Sequence, residues 1–180
     1  MDAGPLNGPI TCLSFVPDTD LIIAGSGSHV RIINFLSGRT LVVKRLFLYQ
    51  NVHGVWLRPG LSKMVFWGQK SVAVYDLIGP ADTQVELRER GLLPGLRDHI
   101  WAAQLVGEWA PTSTALAPQG DKQATRTEEG VGVLVVALAL NVVEVWDWRA
   151  AALLAEVRPG GSAAAARSSG GGTLWAAAFA

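Results

Sequence analysis

Short apolar runs recur along the whole chain and are separated by turn residues. The runs LIIA from Leu21 and VLVVALA from Val133 are continuously apolar, whereas QVELRER from Gln84 alternates apolar with charged residues. Short continuous apolar runs are typical of strands that are covered on both faces, and alternation is typical of a half-solvated strand. The pattern therefore predicts an all-β protein with buried inner strands and solvated outer strands.

One five-residue pattern occurs three times: Val, any residue, Val or Ile, a bulky apolar residue, then Asp or Asn. Its copies are VRIIN from Val30, VAVYD from Val72 and VEVWD from Val143, so they begin 42 and 71 residues apart. The longer gap contains a polar segment, and removing it shortens the gap to about 47 residues, within the range of propeller blades. The final Asp or Asn is expected to accept hydrogen bonds from backbone N–H groups of the following turn.

Each copy has the same surroundings, with two apolar runs before it and one after it. Four short strands per copy, parted by Gly, Pro, Ser and Asp, predict one four-stranded antiparallel sheet for each repeat. The chain is then an incomplete β-propeller of about three blades. The predicted blades span about 10–47, 52–90 and 99–158, with an insertion at about 108–130 and the first strand of a fourth blade at 173–180.

The repeat resembles those of WD40 propellers. The stretch FVPDTDLIIAGSGSHVRIIN, from Phe15 to Asn34, has the common core of a WD40 repeat, although Thr19 stands where Gly is usual. The first two copies replace the Trp-Asp dipeptide, and only Trp146-Asp147 spells it. The resemblance implies an all-β, WD40-type propeller.

A narrower resemblance covers roughly residues 21–157. The stretches LVVKRLFLYQNVHGVWLRP, MVFWGQKSVAVYDL and DHIWAAQLV, in this order, resemble the N-terminal blades of WD-repeat accessory subunits of the tRNA anticodon-loop ribose 2′-O-methyltransferase. The resemblance implies a non-catalytic scaffold that binds an FtsJ-type methyltransferase and tRNA and supports methylation at the wobble position. Those subunits have many more blades, so it also implies an N-terminal piece of a longer protein.

The charge balance and the hydropathy of the chain limit the classes of partner that it is expected to bind. The chain has 15 basic and 15 acidic residues, which argues against a uniform grip on nucleic acid or on an anionic membrane, although a local basic patch remains open. The longest apolar run, 131–140, is far shorter than the roughly 20 residues of a membrane span. We expect a tRNA and protein partner, no membrane and no DNA. The single cysteine, Cys12, fits a reducing, cytoplasmic setting.

Four residues are candidate contacts with tRNA or with the partner protein. Lys44, Arg45 and Arg58 are cations on or beside predicted strands, and the alternative for each is an ordinary solvated charge. His53 precedes Gly54, which indicates either a contact at the propeller rim or a strand bulge that uses Gly for backbone room.

Catalytic and metal-binding motifs are missing from the sequence. It contains no Cys-x-x-Cys, His-Glu-x-x-His or Gly-x-Ser-x-Gly, and GSGSHV is followed by a strand pattern rather than a helix. We therefore expect no cofactor, no metal and no enzymatic activity. Two alternatives stay open: a WD40 interaction platform of another complex, and a propeller enzyme. The enzyme would need acids or histidines clustered at strand ends along the channel, and we predict no such cluster.

Overall fold

The computed structural model describes residues 8–57, 63–79, 84–109 and 131–158. Within these ranges the chain forms twelve strands and no helix. Most of the predicted insertion and the predicted fourth blade lie outside the described residues. The strands are β1 (Ile10–Phe15), β2 (Leu21–Ser26), β3 (His29–Asn34), β4 (Arg39–Arg45), β5 (Gly54–Leu57), β6 (Lys63–Trp67), β7 (Val72–Ile78), β8 (Glu86–Leu93), β9 (Ile100–Trp109), β10 (Val131–Leu138), β11 (Val142–Asp147) and β12 (Ala152–Val157).

The strands form three antiparallel sheets of four strands each, which we call the first (β1–β4), second (β5–β8) and third (β9–β12) sheets. In every sheet the strands follow one another in chain order, so each sheet is a simple meander. The prediction of an all-β chain with one four-stranded antiparallel sheet per repeat is confirmed. The five-residue pattern forms the third strand of each sheet: β3, β7 and β11.

The first and second sheets pack face to face over a core of apolar side chains. Val30 and Ile32 of β3 point toward the second sheet. They pack in one core with Phe66 of β6 and Tyr75 of β7. Phe66 and Tyr75 meet edge to face, with ring centroids 5.8 Å apart. Because side chains alternate along a strand, the other face of β3 points away from this core.

The second and third sheets repeat the same arrangement one step further along the chain. Val72 and Val74, at the pattern positions of Val30 and Ile32, point forward into the core shared with the third sheet. In the third sheet, Trp146 and the buried Glu144 point back toward the second sheet. The Glu144 carboxylate is paired, because it accepts hydrogen bonds from Trp146 Nε1 (3.0 Å) and from Arg97 Nε (3.0 Å). The sheets therefore stack head to tail, with equivalent faces forward.

The first strands of the three sheets adjoin one another. β1 packs beside β5, and β5 packs beside β9. The first-strand edges thus form one continuous wall, and the residues at the start of these strands come together. A cavity, described below, opens here, and we call this end of the sheets the cavity end.

The last residue of the five-residue pattern, an Asp or Asn, has a different hydrogen-bond partner in the second sheet from that in the first and third sheets. Asn34 Oδ1 accepts a hydrogen bond from Ser37 N at 2.9 Å, and Asp147 Oδ1 accepts one from Arg149 N at 3.1 Å, which confirms the turn prediction for two repeats. Asp76 differs, because its carboxylate pairs with Lys63 Nζ (3.3 Å) and with Arg90 Nε. Burial acts to raise the pKa of Asp76, but the hydrogen bonds and charges of the two cations outweigh it and lower that pKa.

Among the described elements, all of which are strands, there is no helix with the length and apolar character needed to cross a bilayer.

Candidate functional site

An open cavity of about 320 Å³ lies where the first strands of the three sheets come together. All three sheets contribute to its wall. The lining residues are Thr11, His53, Trp67, His99, Ile100 and Trp101. Four of the six carry aromatic or imidazole rings, so the wall combines apolar ring faces with polar ring nitrogens and the Thr11 hydroxyl.

Strand register shows that each sheet supplies the equivalent residue to this cavity. In the second sheet, Gly54 pairs with Trp67 and Trp67 pairs with Val72, the first residue of the five-residue pattern. The corresponding sets are Cys12, Gly25 and Val30 in the first sheet and Ala102, Ala137 and Val143 in the third. The cavity residue directly precedes the first member of each set, and these residues are Thr11, His53 and Trp101.

Two of these three residues lie in β-bulges. The β1 register jumps between Ile10 and Cys12, which leaves Thr11 as the extra residue. The β9 register likewise jumps opposite Ala137 and Leu138, which leaves Trp101 as the extra residue. A bulge bends its strand and redirects the side chain that it carries. At these strand starts the two bulges bring a hydroxyl group and an indole ring to the same cavity.

Two histidines meet at the cavity. The imidazole centroids of His53 and His99 are 5.0 Å apart, and His99 also contacts the Trp101 ring at 5.4 Å. Burial lowers the pKa of His53, and the positive charge of His99 lowers it further. This contact joins two histidines, and the absence of an acid or histidine cluster along a propeller channel stays a prediction. The two histidines are 46 residues apart in sequence and come together only because β5 and β9 adjoin.

Gly54 explains how Trp67 reaches the cavity wall. A Cβ atom at Gly54 would lie 2.0 Å from Trp67 Cζ2, so the indole ring rests directly on the glycine backbone. Gly54 pairs regularly with Trp67, and the register of β5 with β6 has no jump. The backbone room at Gly54 therefore serves the Trp67 ring, and the strand-bulge interpretation of His53-Gly54 is wrong.

Thr11 ties the first sheet to the segment before β5. Its hydroxyl donates a hydrogen bond to the carbonyl of Val52, the residue before His53. Val52 N donates in turn to Gly27 O at 2.7 Å, and His53 N donates to Trp67 O at 2.7 Å. The backbone at 52–53 is thus held by hydrogen bonds to the first sheet, through Val52, and to β6 of the second sheet, through His53.

Of the four predicted contact residues, only His53 lines the cavity. Lys44 lies between the first and second sheets, where its Nζ donates to Leu87 O at 2.7 Å and sits 4.9 Å from the Tyr75 ring centroid. Arg45 is exposed, and its guanidinium donates to the carbonyls of Phe47 (3.2 Å) and Leu48. Arg58 lies outside the described residues. Contact of these residues with tRNA or a partner protein stays a prediction.

Two cations stand at the cavity end without a carboxylate partner in the described ranges: Arg45 and Lys70. Arg45 ends β4 opposite His29. Lys70 lies in the turn between β6 and β7, whose Gln69 carbonyl accepts a hydrogen bond from Ile100 N at 2.9 Å. An acid, Asp98, directly precedes the cavity residue His99, and its Oδ1 accepts the His99 backbone N–H at 2.7 Å.

A metal site is not formed by the described residues, since no three of their His, Cys, Asp or Glu side chains cluster. His53 and His99 alone would supply two ligands, fewer than protein metal sites use. The cavity can instead offer ring faces for stacking and imidazole nitrogens for hydrogen bonds.

Neither the protein-family models nor the curated proteins contain a match to this chain.

Thr11 and Trp101 were not expected as site residues, but the sequence carries a signal for Thr11. Thr11 and His53 both lie 19 residues before the first Val of their repeat, at Val30 and Val72. Aligning the repeats on that Val would have paired them. Trp101 lies 42 residues before Val143 because the insertion separates β9 from β10, so the same alignment fails for it.

Proposed function

We propose that the chain is part of a WD40-type β-propeller and acts as a non-catalytic scaffold for ribose 2′-O-methylation at the tRNA wobble position. In this role it binds an FtsJ-type methyltransferase and tRNA. One observation carries the proposal: a single four-stranded sheet is repeated three times, with equivalent faces forward and first strands adjoining. Propeller blades pack around a central channel in this manner.

The segments that resemble the methyltransferase subunits support the narrower part of the proposal. His53 and Gly54 belong to one of these segments, and Ile100 and Trp101 belong to another. Both segments contribute to the cavity wall. The sequence likeness and the candidate site therefore fall on the same residues.

The proposed role is one of positioning. An enzyme that must meet a single ribose gains rate when a rigid platform holds the substrate in register, because positioning raises the effective concentration of the reacting groups. The interlocked sheets supply such a platform without contributing a reacting group. The partner methyltransferase supplies the chemistry.

The test is 2′-O-methylation of a substrate tRNA by a purified FtsJ-type enzyme, with and without this protein. We expect product only when both proteins are present and none from this protein alone. Equal product with the enzyme alone would contradict the scaffold role. A protein that binds other partners but does not affect methylation would favour the interaction-platform alternative.

The role of the predicted cation is tested separately with Arg45→Glu. Arg45 stands at the cavity end of β4, and Arg39, also exposed, stands at the other end of the same strand, so Arg39→Glu is the matched control. We expect only Arg45→Glu to weaken tRNA binding and to make the remaining affinity less dependent on salt. Equal effects of both variants would remove Arg45 from the interface. Lys44 is unsuited to this test because its side chain packs between two sheets.

A further inference from the structure

We propose that the cavity binds one unstacked nucleobase of single-stranded RNA, with the base against Trp101 and the two histidines. This inference deepens the scaffold role and rests on it in one respect, namely that the partner is RNA. The geometry of the cavity, the chemistry of its wall and the cations at the same end of the sheets each support it.

The size of the cavity favours a single flat ring. Ligand sites of proteins span about 300–1,000 Å³, and the volume of about 320 Å³ lies at the small end of that range. Such a cavity is too small for a long side-chain cluster or a folded partner surface. It is also open, so a base that is attached to a backbone outside can enter it.

The ring content of the wall favours stacking. Trp101 is 38% exposed although it lies within a strand, and the bulge that holds it redirects the indole toward the cavity. His99 packs edge-on against Trp101 and His53 packs beside His99, so the three rings form one connected group. Proteins that hold single-stranded nucleic acid use exposed aromatic rings of this kind as stacking platforms.

The two imidazoles add hydrogen-bonding capacity at the base edge. A neutral imidazole carries one N–H donor and one acceptor nitrogen, and the base edges present the complementary groups. Burial keeps His53 predominantly neutral near pH 7, so its ring offers both functions there. A purely apolar cavity of this size would favour an aliphatic side chain instead.

The charge around the cavity favours a nucleotide over an aromatic side chain of a protein. Arg45 and Lys70 stand at this end of the sheets and have no carboxylate partner among the residues described. Arg97, also at this end, is in contrast paired with Glu144 (3.0 Å) and Glu156 (2.9 Å). Lys70 suits a phosphate beside the bound base, because it follows Gln69, whose carbonyl accepts the N–H of the cavity residue Ile100. Arg45 ends β4, three strands away from Thr11, and suits a more distant phosphate of the same RNA strand.

The experiment measures the fluorescence anisotropy of end-labelled pentauridylate and pentaadenylate RNA as the full chain is added. We expect Trp101→Ala and His53→Ala each to weaken binding about tenfold, the amount expected for one lost stacked base. Trp101→Phe should keep most of the affinity because it keeps a ring. Leu36→Ala is the control, since Leu36 is exposed in the turn at the opposite end of the first sheet.

A second measurement uses the unmutated protein, so it does not depend on the folding of a variant. RNA that carries 5-bromouridine is crosslinked by light, and the modified peptides are mapped by mass spectrometry. Crosslinks at 99–104 or 51–57 would support the proposal, and crosslinks confined to other segments would overturn it. No binding of either RNA, or tighter binding of a tryptophan-containing acidic peptide, would also overturn it.

The two proposals fail in different ways. The RNA assay contains no methyltransferase, so RNA binding that depends on Trp101 stands even when methylation does not require this protein. Methylation that requires the protein but is unchanged by Trp101→Ala and His53→Ala would leave the scaffold role intact and overturn the base-binding cavity.

Discussion

The middle sheet and the two end sheets have the same strand order but very different exposure. The second sheet is covered on both faces, so Tyr75 and Phe66 on one face and Val72 and Val74 on the other are almost fully buried. Among the residues that the structure describes, the first sheet has a partner sheet on one face only, and Phe15 on its other face is 61% exposed. The repeat thus sets which positions are apolar, whereas the neighbouring sheet sets which of them are buried.

The outward faces of the end sheets are apolar despite their exposure. In the first sheet Leu13, Phe15 and Val43 are more than half exposed. In the third sheet Val157 of β12, which pairs with Val143 on the face away from the second sheet, is 51% exposed. Contiguous exposed apolar residues of this kind mark surfaces that contact another element.

The largest expected difference between the regions is the cost of removing a phenylalanine ring. Phe66→Ala empties space between the first and second sheets and should cost about 3–5 kcal/mol of unfolding free energy. Phe15→Ala removes a mostly exposed ring that contacts Phe35 edge to face, and it should cost less than about 1 kcal/mol. Urea denaturation of both variants measures the two costs. Similar losses of unfolding free energy for the two variants would contradict the distinction between covered and outward faces.

A smaller loss of stability is expected from a substitution at Gly54 in the second sheet, where the backbone lies against the Trp67 ring. Gly54→Ala places a methyl group inside the Trp67 ring, and overpacking of this kind costs about 1–3 kcal/mol. The same substitution in a Trp67→Leu background should cost much less, because the obstructing ring is gone. The difference between the two costs in a double-mutant cycle is the measurement. An unchanged cost would contradict the contact.

The carboxylate of Asp76 should make stability pH-dependent in acid. Its pKa is lower in the folded protein than in the unfolded chain, so its contribution is present above about pH 4, the ordinary value, and is lost as the pH falls through the folded value. Asp76→Asn should cost about 1–2 kcal/mol at pH 7 and flatten the decline below pH 4. Melting curves from pH 7 to 2.5 would show both changes.

The smallest effect concerns the histidine pair at the cavity. The pKa of His53 is lower in the folded than in the unfolded chain, so its protonation opposes folding and stability falls as the pH drops below about 6.5. The loss should stay well under 1 kcal/mol because the imidazole is only partly buried. His53→Gln should reduce the stability difference between pH 7.5 and 5.5, measured by urea denaturation. His29→Gln, in the first sheet, should not.

The sheets were predictable from sequence because their signals are local. Strand length, apolar alternation and the spacing of the Val-x-Val pattern all act within one repeat. The hydrogen bonds that Asn34 and Asp147 accept from the turns after them were predictable for the same reason, because each lies within one repeat. Asp76 did not follow, because Lys63 and Arg90 on the neighbouring strands of its own sheet compete with the turn for its carboxylate.

The candidate site was only partly predictable because it depends on contacts between repeats. His53 was expected at a rim, but its contact with His99 requires two sheets to adjoin. The orientation of Trp101 depends on a bulge that no periodicity signals. Lys44 was expected to contact a partner, yet its Nζ meets Leu87 and Tyr75 because β4 packs near β8.

Amide hydrogen exchange on the 180-residue chain tests the head-to-tail stack most directly. The comparison is among β2–β3, β6–β7 and β10–β11, which are the inner strand pairs of the three sheets and are hydrogen-bonded on both sides. Only stacking distinguishes them, so β6–β7 should exchange slowest, because exchange protection follows local stability. If β2–β3 or β10–β11 exchanged as slowly as β6–β7, the second sheet would not be the covered centre of the stack.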